Sequence, residues 1–277
     1  MPIASRLPTL FCVVSIIAAI VGAAARADEA GAAPLRIMPV GDSITRGTYI
    51  ATKNGKATGL PSPDGGGWRK PLQDKLRAAG LAYDFVGALD FMAYGTDGVC
   101  DPQFDPDHHG LAGFGNRGIR QGGVVPTPQD VLDSRGVKEM RAPDIVAAMK
   151  QCRPDVVLLM SGANGFDAHE RDLLIQTILD NLSGQLLVAT IPPQRAPRQG
   201  FEGVGDYNAS LPATVARFEA AGRKIRMVDM AAALTADDLT PDGVHPNQQG
   251  TIKIAEAWFQ GMKDAGLVPA QARRPGE

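Results

Sequence analysis

The chain has 277 residues, 28 of them Lys or Arg and 30 Asp or Glu, with a formal net charge of −2. That balance argues against nucleic-acid binding through a basic surface. An aromatic share of 5% gives no sign of an appended carbohydrate-binding platform. No segment beyond the N-terminal leader approaches the apolar run of about 20 residues that a membrane span needs.

In chain order, the first feature is that leader. Arg6 precedes the apolar stretch Leu10–Ala24, and Ala25-Arg26-Ala27 has the small-x-small form of a cleavage site, so residues 1–27 are expected to be a secretory signal peptide. Cleavage would leave 250 residues starting at Asp28, with 26 basic and 30 acidic residues, net −4. A single soluble domain over 28–268 with a frayed tail at 269–277 is expected, secreted or periplasmic, with no membrane contact after cleavage. Cys100 and Cys152 remain in that oxidising compartment. A disulfide between them would close a loop of about 50 residues and contribute about 4 kcal/mol in the chain-entropy model; two separate buried thiols are the alternative.

In the remaining chain, apolar runs alternate with segments of helical period, the pattern of a parallel sheet covered on both faces. The fold class is therefore α/β. Strands are predicted at Leu35–Val40, Tyr83–Ala88, Asp155–Ser161, Leu186–Ile191 and Lys224–Met230, enough for one five-stranded sheet. Helices are predicted at Trp68–Ala79, Ala168–Leu182 with Asp167 as its cap, Tyr207–Ala221 and Asn247–Ala265. Val131–Cys152 reads as helical in part, interrupted at Gly136 and Pro143. Thr48–Gly67 and Asp90–Pro128 are rich in Gly, Pro and Asp and are expected to be irregular loops. They should emerge beyond the carboxyl ends of the strands, where open α/β sheets bind ligands.

The chemistry lies at two ends of this pattern. Ser43, in Gly41-Asp42-Ser43-Ile44-Thr45, follows the first strand, and Asp242-Gly243-Val244-His245-Pro246 precedes the last helix. A serine hydroxyl becomes a nucleophile when an imidazole accepts its proton, and a carboxylate fixes the imidazole tautomer. Taken singly, Ser43 could be a helix cap, Asp242-Gly243 a turn and His245 a loop histidine. Their order, at the carboxyl ends of predicted strands, favours a catalytic site. No Gly-x-Ser-x-Gly elbow is present, which weighs against an α/β-hydrolase. His169 lacks the partner histidine of a zinc motif. His108 and His109 sit among Asp101, Asp105 and Asp107 in what reads as a solvated acidic loop, without the spacing of an EF-hand. Asp42, Trp68 and Arg69 are candidate substrate contacts, although for Trp68 and Arg69 an amphipathic helix start packed on the sheet is the favoured role.

These blocks resemble the first and last blocks of the SGNH (GDSL-type) hydrolases. Gly162-Ala163-Asn164 resembles that family's Gly-x-Asn block, and Gly110-Leu111-Ala112-Gly113-Phe114 its glycine block. The flanking runs Ile37–Ser43, Asp84–Gly87, Asp107–Gly110, Pro154–Leu159 and Val228–Met230 are similar to carbohydrate esterases of the acetylxylan-esterase kind. The resemblance implies a flavodoxin-like α/β/α sandwich and a catalytic triad of Ser43, His245 and Asp242. It also implies oxyanion donors from Ser43, Gly113 and Asn164, with no metal or cofactor. The expected substrate is an acylated carbohydrate, such as acetylated xylan or another hemicellulose, and the expected state is a monomer. An acyltransferase using the same serine and a catalytically silent glycan-binding protein are the alternatives. The chain departs from the family at Gly165, where aspartate is usual, and at Leu111, where the carbohydrate esterases often have histidine. The first predicts weaker orientation of Asn164 or a substitute partner, the second an altered rim of the site.

Overall fold

A computed structural model of the chain describes residues 33–53, 56–61, 66–91, 103–194 and 203–269. The expected leader and Cys100 lie outside the described residues, as does the expected tail apart from Pro269. Among the described residues no helix is long and apolar enough to cross a membrane.

The first strand, β1 (Leu35–Gly41), runs into the single-turn helix α1 (Ser43–Arg46). A hairpin of β2 (Thr48–Lys53) and β3 (Lys56–Pro61) follows, then α2 (Arg69–Ala78) and β4 (Tyr83–Phe85). Next come β5 (His109–Gly110), α3 (Asn116–Gln121), β6 (Gly123–Val125), α4 (Gln129–Arg135), β7 (Met140–Ala142) and α5 (Ile145–Cys152). The C-terminal half comprises β8 (Val156–Met160), α6 (Ala168–Asn181), β9 (Gln185–Ala189), α7 (Val204–Ala220), β10 (Ile225–Val228), α8 (Met230–Ala233) and α9 (Gln248–Asp264).

The main sheet has the order β10-β9-β8-β1-β4, and all its pairings are parallel. These are the five predicted strands. The two-residue β5 adds a short sixth, pairing Val40 with His109 and Gly41 with Gly110 at the end of β1. Strand order reverses at β1: the chain goes one way to β4 and the other to β8. That reversal opens a crevice beyond the carboxyl end of β1, and Ser43 sits there.

Period-two alternation assigns each side chain to a face. Met38, Val40, Val157 and Leu159 pack with Ile145, Met149, Leu174, Ile178, Leu211 and Val215 from α5, α6 and α7. Ile37, Val156, Leu158 and Met160 pack on the other face with Trp68, Leu72, Leu76, Ile254, Trp258 and Met262. Both faces are covered, so β8 is apolar throughout and buried at every position. Trp68 meets Trp258 at 5.7 Å between ring centroids, joining α2 to α9.

Two expectations about loops need correction. Thr48–Gly67 contains the β2–β3 hairpin, with register from Thr48↔Pro61 to Lys53↔Lys56. The Asn54-Gly55 dipeptide between the strands is a strong hairpin signal, and overall Gly/Pro content masked it. Asp90–Pro128 contains β5, α3 and β6, with β6 paired antiparallel to β7. Cys152 is a free, buried cysteine.

Candidate active site

Gly41 ends β1 where no side chain fits: a Cβ there would lie 2.1 Å from the Met160 carbonyl oxygen. The backbone then turns, and Asp42 caps α1 by accepting from the Ile44 N–H at 3.0 Å. Gly47, at φ 91°, closes the turn with its N–H on the Ser43 and Ile44 carbonyls. Ser43 is thereby placed in the first turn of a helix at the edge of the crevice, and it is 7% exposed.

His245 arrives on the connection into α9. Gly243, at φ 75°, allows the turn in which its N–H meets the Thr240 carbonyl at 2.9 Å. The His245 carbonyl accepts from the Thr240 N–H at 2.7 Å, and Asn247 caps α9 through Gly250 N–H. The imidazole is held from both sides along the chain. Its Nε2 lies 2.8 Å from Ser43 Oγ and its Nδ1 2.6 Å from Asp242 Oδ2. Residues 202 apart in sequence form one hydrogen-bonded line.

Asp242 keeps its charge. Burial opposes ionisation, but hydrogen bonds from His245 and the Val244 N–H hold the carboxyl well below the usual carboxylate range. Its Oδ1 accepts from Thr240 Oγ1 at 2.8 Å, Val244 N at 2.9 Å and His245 N at 3.0 Å. Thr240 is a residue the sequence reading missed; the signal was a hydroxyl two positions before the carboxylate in Thr240-Pro241-Asp242.

The candidate oxyanion donors flank β1. Gly113 lies in the turn after β5 at φ 82°, exposed, with open space on its Cα among the described residues. Asn164 lies after β8 and is also exposed, and its Nδ2 donates to the Phe114 carbonyl at 3.2 Å. The Asn164 side chain thus has a partner although position 165 carries no carboxylate. This bond ties the Asn164 amide to the loop that carries Gly113 and leaves the second amide proton for another acceptor.

Three candidate substrate contacts are corrected. Asp42 is buried beneath the serine, with Oδ2 accepting from Ala163 N–H at 3.2 Å, so it ties the Ser43 loop to the Asn164 loop. Burial raises its pKa, while the amides of Ile44 and Ala163 and the charge of His245 counter the shift. Trp68 and Arg69 are both fully buried. Arg69 donates to the carbonyls of Thr45 at 3.2 Å, Arg46 at 3.3 Å and Pro106 at 2.6 Å, and so pins α1 from below. Leu111 is buried in the core rather than on a rim.

His108 and His109 are buried as well, contrary to the solvated loop expected for them. His108 Nδ1 accepts from Gly110 N–H at 2.9 Å, which places the proton on Nε2, 2.8 Å from the Phe91 carbonyl. Its pKa is pushed well below the ordinary range by burial and by Arg69. Neither histidine competes with His245 as a base. His169 is exposed on α6. Among the described residues no group of His, Cys, Asp or Glu is arranged to hold a metal.

A parallel sheet with helices on both faces, and a site at its strand-order reversal, give the chain the fold of the SGNH hydrolases. The chain belongs to the GDSL-like lipase/acylhydrolase family, whose family model matches residues 37–258. A family 3 carbohydrate esterase from Clostridium thermocellum is 26% identical, with a TM-score of 0.58 over 85% of this chain and 100% of that one. A carbohydrate esterase family 3 protein from Talaromyces cellulolyticus shares the fold, with a TM-score of 0.60 and 23% identity over 83% of this chain and 97% of that one. A multidomain esterase of Ruminococcus flavefaciens is 26% identical over 247 residues, 84% of this chain, and the chain spans 29% of that relative's length.

Proposed function

We propose that this protein is a secreted serine esterase that removes acetyl or similarly small acyl groups from carbohydrate, with acetylated xylan or another hemicellulose as substrate. The observation that carries the reading is the hydrogen-bonded line from Ser43 Oγ through His245 to Asp242, at 2.8 and 2.6 Å. Ser43 attacks the acyl carbon while His245 Nε2 takes the hydroxyl proton. The tetrahedral intermediate collapses, the alcohol leaves with that proton, and an acyl-enzyme remains on Ser43. Water then attacks with His245 again as base, releasing acetate. Ser43 N–H, Gly113 N–H and the Asn164 amide supply donors to the developing oxyanion, and Asp242 stabilises the imidazolium. The likeness to family 3 carbohydrate esterases favours a small acyl group on a polar polymer, and the leader sequence favours export.

Acetate release from a panel of acetylated polysaccharides, with Ser43→Ala in parallel, tests this. The parent should release acetate and the variant essentially none. Activity confined to long-chain lipid esters, or equal turnover by Ser43→Ala, would reject the reading. Acyl transfer outrunning acetate release when a sugar acceptor is added would make the enzyme a transferase.

A further inference from the structure

Beneath the crevice lies a buried polar cluster that the chemistry above does not use. Asn116 at the start of α3, Ser161 at the end of β8 and Tyr207 in α7 are each under 5% exposed. Ser161 Oγ donates to Asn116 Oδ1 at 2.6 Å, and Asn116 Nδ2 donates to the Asp167 carbonyl at 3.2 Å and to Tyr207 Oη at 3.0 Å. Tyr207 O–H donates in turn to the Ser161 carbonyl at 2.8 Å. Burial pushes the Tyr207 hydroxyl well above its ordinary range, so it stays a donor.

The positions of these bonds are informative. Asn116 lies three residues after Gly113, Ser161 three before Asn164, and Asp167 three after it. One asparagine side chain therefore spans both ends of the segment that carries Asn164 and ties it to the segment that carries Gly113. The Tyr207 ring fills the space beside Gly162, where a Cβ would lie 2.7 Å from the ring. Arg171 fixes that tyrosine, with its guanidinium carbon 4.8 Å from the ring centroid and Nη1 donating to the Tyr207 carbonyl at 2.6 Å. Ala163 N–H is held by Asp42. From 161 to 163 the segment is fixed at a carbonyl, a hydroxyl, a Cα and an N–H. The next side chain, Asn164, reaches the surface.

We infer that Asn116, Ser161 and Tyr207 are positioning residues, whose hydrogen bonds hold the Gly113 and Asn164 segments in one register and so aim their amides at the ester oxygen. The inference rests on the proposed esterase reading. Oxyanion donors act only within about 2.7–3.1 Å of the charge that develops, a tolerance of roughly 0.5 Å. Apolar packing allows small slides of one surface over another, whereas a satisfied network of directional bonds has one arrangement.

Tyr207→Phe tests this, because it keeps the ring against Gly162 and removes only the hydroxyl; Ser161→Ala is the second variant. On 4-nitrophenyl acetate, kcat should fall about tenfold, less than the ~10²–10³-fold cost of deleting a donor outright, with KM within about twofold. Affinity for a boronic acid, which forms a tetrahedral adduct on Ser43, should fall by the same factor as kcat. Unchanged kcat in both variants, or a kcat loss without a matching loss of boronate affinity, would overturn the inference. Ser43→Ala run alongside separates the two levels. Retained turnover there rejects the esterase itself, while an inactive Ser43→Ala beside fully active Tyr207→Phe and Ser161→Ala rejects only the positioning.

Discussion

Asp242 accepts four hydrogen bonds, one from the imidazole and three from its own turn, so its orientation is fixed before any substrate arrives. Asp242→Asn would probe that orientation. With Oδ1 kept on its three local donors, the amide nitrogen must face His245 Nδ1, and the imidazole turns to the tautomer that presents an N–H to Ser43. Turnover should fall on the order of 10⁴-fold with the fold intact, measured as kcat beside circular dichroism. This part of the site was legible in sequence because Asp242 and His245 are three residues apart and a Gly turn brings them together. Asp42 was not legible in the same way. Sequence shows a carboxylate beside a serine, but only the packing of β1 against β8 turns that carboxylate inward onto Ala163.

At the scale of elements, β5 is the clearest case of burial overriding local composition. Its acidic flanks suggest solvent, yet pairing with β1 draws His108 and His109 into the core. Both ring nitrogens of His109 are without a hydrogen-bond partner among the described residues, and burial lowers its pKa to about 4, against a smaller opposing pull from Asp144. The unfolded chain therefore takes up a proton near the ordinary histidine value while the folded protein does not, and stability falls as pH drops through about 6.5 toward 4. Asp107 acts with the opposite sign. Burial and neighbouring Asp105 raise it to about 6, so the folded state binds a proton between about 6 and 4 that the unfolded chain does not, and acidification stabilises. Tm measured from pH 7 to 4.5 should decline less steeply in His109→Gln and more steeply in Asp107→Asn than in the parent. Parallel curves for all three would show that neither linkage operates.

For the molecule as a whole, the two faces of the sheet form separate cores, and the face beneath Ser43 depends on the contact between α2 and α9. Trp258 is fully buried against Trp68, so Trp258→Ala leaves a large cavity. A loss of about 3–5 kcal/mol is expected, seen as a fall in Tm on the order of 10 °C by calorimetry. The sequence by itself determined the strands and longer helices of the sheet, the cap at Asp167, and which serine, histidine and aspartate were candidates for one hydrogen-bonded line. Periodicity, capping and tight turns are local, and a linear reading follows them. Tertiary structure alone decided that Asp42 faces inward, that β5 is a strand, and that Asn116, Ser161 and Tyr207 meet. Each of those outcomes depends on which surfaces come together over long stretches of chain, 121 positions in the case of Asp42 and Ala163, and no local pattern encodes that proximity.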